Sequence, residues 1–215
     1  MLVQLKPQEE SFFTIIYGKL RKLDALILCE GETEVKVIKT IIEKLGIKIP
    51  KTIGVTECSG INTVYNMTAI ITLLLNLFRK VKALGILIDS EQMTVKERVE
   101  SLINSIKAKE FNIKDIKPIC NQTYQTIVQK PNIRIVITVN GVHEYNFKTH
   151  KIEDHAVLLA QLENKINKNI IIKADEAKRI ISKDEIIELI KTSSKENITK
   201  AYNHIICLVN TIAKT

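Results

Sequence analysis

The chain has 215 residues, of which 45% are hydrophobic and only 5% aromatic, and it carries a formal net charge of +8. That length fits one moderate domain or a core with a small extension, and the apolar content excludes a fully disordered chain. The basic balance favours polyanionic partners, nucleic acid foremost.

In chain order, residues 2–6 suggest a short strand and residues 8–22 a helix ending in the basic pair Arg21 and Lys22. Residues 23–29 form a short apolar run, as expected of a strand covered on both faces. Residues 32–45 place Val35, Ile38, Ile41, Ile42 and Leu45 on one helical face, and Gly46 supplies a stop. A second strand is expected over 52–58, a turn at Ser59-Gly60-Ile61-Asn62, and a long packed helix over 63–82. Residues 83–88 read as a third strand delivering Asp89, followed by an amphipathic helix over 94–110. Short strands are expected within 113–129 and a clear one over 133–139, with Asn140-Gly141 as a turn signal. Helices are expected over 151–167, 174–181 and 183–192, and a last one over 195–213 with Ser193 or Ser194 as N-cap.

The strand–helix alternation of the first part argues for an α/β fold: a parallel sheet flanked by helices, with right-handed crossovers. The organisation expected is an N-terminal strand and helix (1–22), an α/β core (23–140) and a mainly helical C-terminal region packed on that core (141–215). Cys29, Cys58, Cys120 and Cys207 sit in apolar stretches without CxxC or zinc spacing, so all four read as buried free thiols. The opening MLVQLKPQEE lacks the apolar centre of a secretory leader, and no apolar run approaches the roughly 18 residues of a membrane span. A cytoplasmic protein without membrane contact is expected.

In a parallel sheet, ligands collect beyond the carboxyl ends of the strands. Two apolar strands end in acids there: Glu30 after the first, Asp89 and Glu91 after the third. Glu91 points the same way as Asp89 if the chain stays extended. Glu34 lies one helical turn beyond Glu30, and Gly31 permits a sharp turn from strand to helix. Crowded carboxylates need a neutralising partner, and a donor set of oxygens alone favours Mg²⁺ or Mn²⁺ over zinc. Helix-dipole complementation accounts for Glu32 and Glu34, but it leaves Glu30 and the matching Asp89 unexplained.

A strand ending in Glu-Gly (CEGETEV), a glycine turn after the next strand (ECSGIN) and a strand ending in Asp-x-acid (ILIDSE) resemble the Toprim domain. The likeness spans about residues 23–140 and is nearest to small standalone Toprim proteins and the overcoming-lysogenization-defect (OLD) nucleases. It implies a Rossmann-like Toprim sheet and a nuclease acting on DNA or RNA phosphodiesters with Mg²⁺ or Mn²⁺. By that likeness Glu30 is the acid/base or metal-shaping carboxylate, Asp89, Glu91 and Glu34 are metal ligands, and Ser59 and Gly60 belong to the loop near the site. Glu91 stands where the family pattern has a second Asp. KIEDHAV suggests Glu153 and Asp154 as additional acids. KENITKAYNHII resembles a late nuclease helix with a phosphate-contacting lysine, Lys200 or else Lys195. Arg21, Lys22, Arg79, Lys80 and Lys82 are candidate backbone contacts. The histidines, His143, His150, His155 and His204, form no triad pattern. A non-catalytic nucleic-acid-binding or adaptor protein is the alternative, and a homodimer or a partner ATPase remains open.

Overall fold

The computed structural model describes residues 1–6, 18–74, 80–130 and 132–215, apart from the side chains of 73 and 74. The elements are β1 (Leu2–Gln4), β2 (Ala25–Cys29), α1 (Glu32–Leu45), β3 (Ile53–Glu57), α2 (Ile61–Leu74), β4 (Ala83–Asp89), α3 (Val95–Lys107) and β5 (Lys117–Cys120). There follow β6 (Thr123–Val128), β7 (Ile133–Asn140), α4 (Ile152–Leu162), α5 (Lys168–Lys173), α6 (Lys183–Thr192), α7 (Lys195–Ala201) and α8 (Asn203–Lys214). The helix expected over 8–22 lies mostly outside the described residues. Its end, Leu20–Lys22, is a 3₁₀ turn.

All seven strands form one sheet in the order β1-β3-β2-β4-β7-β6-β5. From β1 to β7 the neighbours run parallel, while β6 and β5 extend the edge antiparallel. The expected α/β class therefore holds, with a mixed rather than purely parallel sheet. Every residue of β2 and β4 is buried, because helices cover both faces. On one side α2 and α3 pack over Leu26, Leu28, Ile86 and Ile88. On the other, α1, α4, α6, α7 and α8 pack over Ile27, Val55, Leu87 and Val136. Alternate residues of one strand thus enter different cores, as the two-residue period of a strand dictates. The segments beyond residue 140 share their core with α1.

Helix α1 begins and ends where its sequence pattern does. Gly46 stops it in the left-handed conformation (φ 69°), donating to Glu43 O at 3.2 Å. The last helix departs from expectation. It breaks at Tyr202 into α7 and α8, where the Ala201 carbonyl accepts a hydrogen bond from His155 Nδ1 (2.9 Å). The expectation of four free thiols is half corrected: Cys29 and Cys58 are free and buried, but Cys120 and Cys207 form a disulfide across 87 residues. Only the packing of α8 beside β5 brings that pair together, so no local spacing announces it. Among the described residues, no helix is long and apolar enough to cross a membrane.

Candidate functional site

The carboxyl ends of β2, β3 and β4 open on one edge, because these strands are parallel. Glu30 leaves β2 with its N–H on Leu87 O (3.0 Å), and its carboxylate reaches across to the neighbouring strand, where Oε2 accepts the N–H of Asp89 (3.0 Å). Glu34, in the first turn of α1, folds back so that its Oε2 accepts the Gly31 N–H (3.0 Å). Gly31 is extended (φ −142°), so left-handed freedom is not what the site asks of it. It supplies space instead, since a Cβ would stand 3.1 Å from the Glu34 carboxylate. Gly60 closes the edge by donating to Glu30 O (2.8 Å). Its φ of 113° is one that side chains avoid. With Glu32, Thr33, Ser59, Lys151, Ile152, Glu153 and Lys183, these residues line a cleft of about 350 Å³.

Three of these acids hold their protons above the ordinary range. Burial raises Glu30, the Glu91 charge adds to it, and the Asp89 N–H opposes. Burial lifts Glu34 to about 7, with the charges of Glu30 and Glu153 contributing and backbone hydrogen bonds opposing. Asp89 is raised well above its usual value by burial, then by Glu34 and Glu30, against the Asn140 hydrogen bond. Desolvation and like charge act in the same direction, as expected of carboxylates forced into one site.

Residues 24–206 match the family described as "Protein of unknown function (DUF3226)". The chain belongs to that family. Among solved structures, two of the C-terminal region of the OLD protein of Xanthomonas campestris pv. campestris are similar. One is 15% identical with a TM-score of 0.43, the other 17% identical with a TM-score of 0.44. In both cases the alignment covers 89% of this chain and 97% of that one. No curated protein matches.

The other candidates of this DUF3226 member fall in several places. Glu91 is not extended beyond Asp89. It adopts φ 54°, exchanges backbone hydrogen bonds with His150 (2.9 Å each way), and sets its carboxylate against the buried Arg98 guanidinium at 3.1 Å, with Lys151 at 4.0 Å. The bend after Asp89 thus removes the same-side placement that an extended chain would impose. Glu153 faces the cleft. The Asp154 carboxylate is instead anchored, its Oδ2 accepting from Val142 N (3.0 Å) and His150 Nδ1 (2.8 Å). Lys200 pairs with Glu196 at 2.7 Å and lines a different cavity of about 410 Å³ beside His143, His155 and His204. Lys195 opens α7 on the exposed surface. Arg21 and Lys22 precede the amino end of β2 and Lys80 and Lys82 that of β4, so this basic group lies at the sheet edge opposite the acids. Arg79 lies outside the described residues.

Several residues at the site carry no local sequence signal. Lys151 and Lys183 arrive from the loop before α4 and the start of α6. Arg98 donates to Ser90 O (3.0 Å) as well as to Glu91. Asn140, opposite Asp89 in the β4–β7 register, donates to Asp89 Oδ1 at 2.9 Å. Burial pushes His155 down to about 4 and His204 well below its usual value, so both rings are neutral near pH 7. As the side chains lie, no three His, Cys, Asp or Glu among the described residues are arranged to hold a metal ion. Glu30 and Glu34 each keep one oxygen on a backbone N–H. The carboxylate and hydroxyl oxygens that line the cleft beside Lys151 and Lys183 are donors of the kind a hard cation such as Mg²⁺ or Mn²⁺ takes.

Proposed function

We propose that this chain is a divalent-metal-dependent nuclease of Toprim type that cleaves phosphodiester bonds of DNA or RNA. The observation that carries this reading is the meeting of half-buried Glu30 with buried Asp89 and Glu34 at one sheet edge, with Glu153 facing the same cleft. Such crowding costs stability unless a cation or protons relieve it. Glu30, Asp89 and Glu34 would hold Mg²⁺ or Mn²⁺ once Glu30 and Glu34 turn from the backbone N–H groups they accept from, with buried Glu153 beside them. The ion, when bound, supplies the charge stabilisation that an in-line displacement at phosphorus needs.

The chain's own groups do the rest. Lys151 and Lys183 border the acids and are placed to take the phosphates of a bound strand. A second reading is favoured by one observation: Arg98 pairs with Glu91, which leaves the acid constellation one ligand shorter than the Toprim pattern it resembles. In that reading the fold is a non-catalytic nucleic-acid-binding scaffold that works with a partner.

Cleavage of end-labelled single- and double-stranded DNA and RNA, with Mg²⁺, Mn²⁺ or EDTA, decides between them. Metal-dependent cutting that falls at least about 100-fold in both Glu30→Gln and Asp89→Asn is expected, the size of effect seen when a group stabilising the transition state is lost. Nucleic-acid binding without cutting under any condition replaces the first reading with the second.

A further inference from the structure

Resting on the metal reading of the acid cleft, we propose that Asn140 and His204 are positioning residues that fix which oxygen of Asp89 faces the cleft. Asp89 Oδ1 already accepts two hydrogen bonds, from Asn140 Nδ2 (2.9 Å) and from the Ile152 N–H (3.2 Å). With that oxygen occupied, Oδ2 is the one available to a ligand. In the ionised form that takes a cation, this carboxylate can only accept, so the arrangement requires the Asn140 amide to present its NH₂ rather than its oxygen.

His204 complements that choice. Its Nε2 stands 3.0 Å from Asn140 Oδ1, and an amide oxygen cannot donate, so His204 must carry its proton on Nε2. If the amide flipped, its oxygen would face the Asp89 carboxylate in a dry interior, and its NH₂ would face an N–H unless the His204 proton moved to Nδ1. Asn140 is fully buried and His204 almost so; neither can turn to water for relief.

The ring is held in turn. The His204 carbonyl accepts from Thr123 Oγ1 (3.2 Å), and the ring stacks on His155 with centroids 4.0 Å apart. Both nitrogens of His155 are committed, Nε2 accepting the Gly141 N–H (3.0 Å) and Nδ1 donating to Ala201 O. A packing role alone would ask for shape at these positions. The alternation of donor and acceptor from His204 through Asn140 to Asp89 asks for something more specific: one orientation of a carboxylate at the mouth of the cleft. Groups that orient a metal ligand in this way typically change ion affinity 10- to 100-fold, by the general behaviour of such partners.

The test is Mn²⁺ affinity, read by electron paramagnetic resonance on the full chain, for wild type, His204→Leu, His204→Gln and Asn140→Leu at a temperature where each is folded. His204→Leu and Asn140→Leu should weaken binding about tenfold or more. His204→Gln, which keeps an N–H for Asn140 Oδ1, should return affinity to within about threefold of wild type. Unchanged affinity in His204→Leu, or a His204→Gln as weak as His204→Leu, overturns the proposal while leaving wild-type binding intact. Wild type that binds no Mn²⁺ overturns the metal reading itself, and this proposal with it. Where the leucine variants fail to fold, the ¹⁵N shifts of wild-type His204 decide: a protonated Nε2 supports the arrangement, and a proton on Nδ1 alone overturns it.

Discussion

At Glu34 two demands meet on one side chain. Its carboxylate caps the start of α1 through the Gly31 N–H, and the same carboxylate is buried against the charges of Glu30 and Glu153, which lifts it to about 7. Protonation is therefore easier in the folded chain than in the unfolded one, where the group titrates near 4.5. The contribution to stability is complete below about pH 4.5 and is lost as pH rises through about 7, on the order of 3 kcal/mol across the window. Without divalent metal, the urea midpoint of wild type should fall between pH 5 and pH 8, and Glu34→Gln should show a shallower fall and higher stability at pH 8. Equal slopes for the two proteins would mean that the Glu34 carboxylate is not under this strain. The acids of the cleft were legible beforehand, since Glu30 and Asp89 end apolar strands and parallel strands share an edge. Asn140 read only as half of a turn signal, and His204 as one of several scattered histidines. Asn140 meets Asp89 across 51 residues of sequence and His204 meets Asn140 across 64, and no local pattern encodes such contacts. Glu91 shows the converse: alternation predicts a shared direction with Asp89, but a left-handed residue after Ser90 ends the alternation.

Two glycines separate the demands of an element from those of the site. Gly46 ends α1 at φ 69° with open space where a Cβ would go, whereas Gly141 follows β7 at φ 133° with a Cβ position 2.5 Å from Ser90 Oγ and 2.8 Å from His150 Cβ. Gly46→Ala should cost about 1 kcal/mol, the penalty for a side chain in a left-handed cap. Gly141→Ala adds overpacking to backbone strain and should cost about 3 kcal/mol or more. Urea unfolding of the two variants measures the difference, and equal losses would show that the β7 exit relaxes freely around the new methyl. Elements with strong local signals were legible to the residue: α1 through its apolar face and Gly46, α6 through its period between Ser182 and Ser193. The six-residue α5 was not, since Asn167 caps it over a sequence too short to show a period. Nor was the break at Tyr202, because the group that takes the Ala201 carbonyl is His155, from α4.

Across the whole molecule, the net charge of +8 favours polyanionic partners without saying where one would lie. Six basic residues fall at two opposite sheet edges. Arg21, Lys22, Lys80 and Lys82 stand where β2 and β4 begin, and Lys80 is already engaged by Asp24 at 3.3 Å and by the Lys22 carbonyl at 2.9 Å. Lys151 and Lys183 stand where the same strands end, beside the acids. On the proposed nuclease reading, a strand held for cleavage passes over the acids, so the second group should dominate affinity even though the first is more prominent in the sequence. Each lysine that neutralises a phosphate releases about one counterion, which sets the dependence of binding on salt. Lys151→Ala combined with Lys183→Ala should therefore weaken nucleic-acid binding and reduce the slope of log affinity against log salt by about 2. The Arg21→Ala, Lys22→Ala pair should leave that slope near wild type. The reverse result, a slope lost with Arg21 and Lys22 and kept without Lys151 and Lys183, would place the bound strand along the amino edge, where no carboxylate of the cleft can reach it.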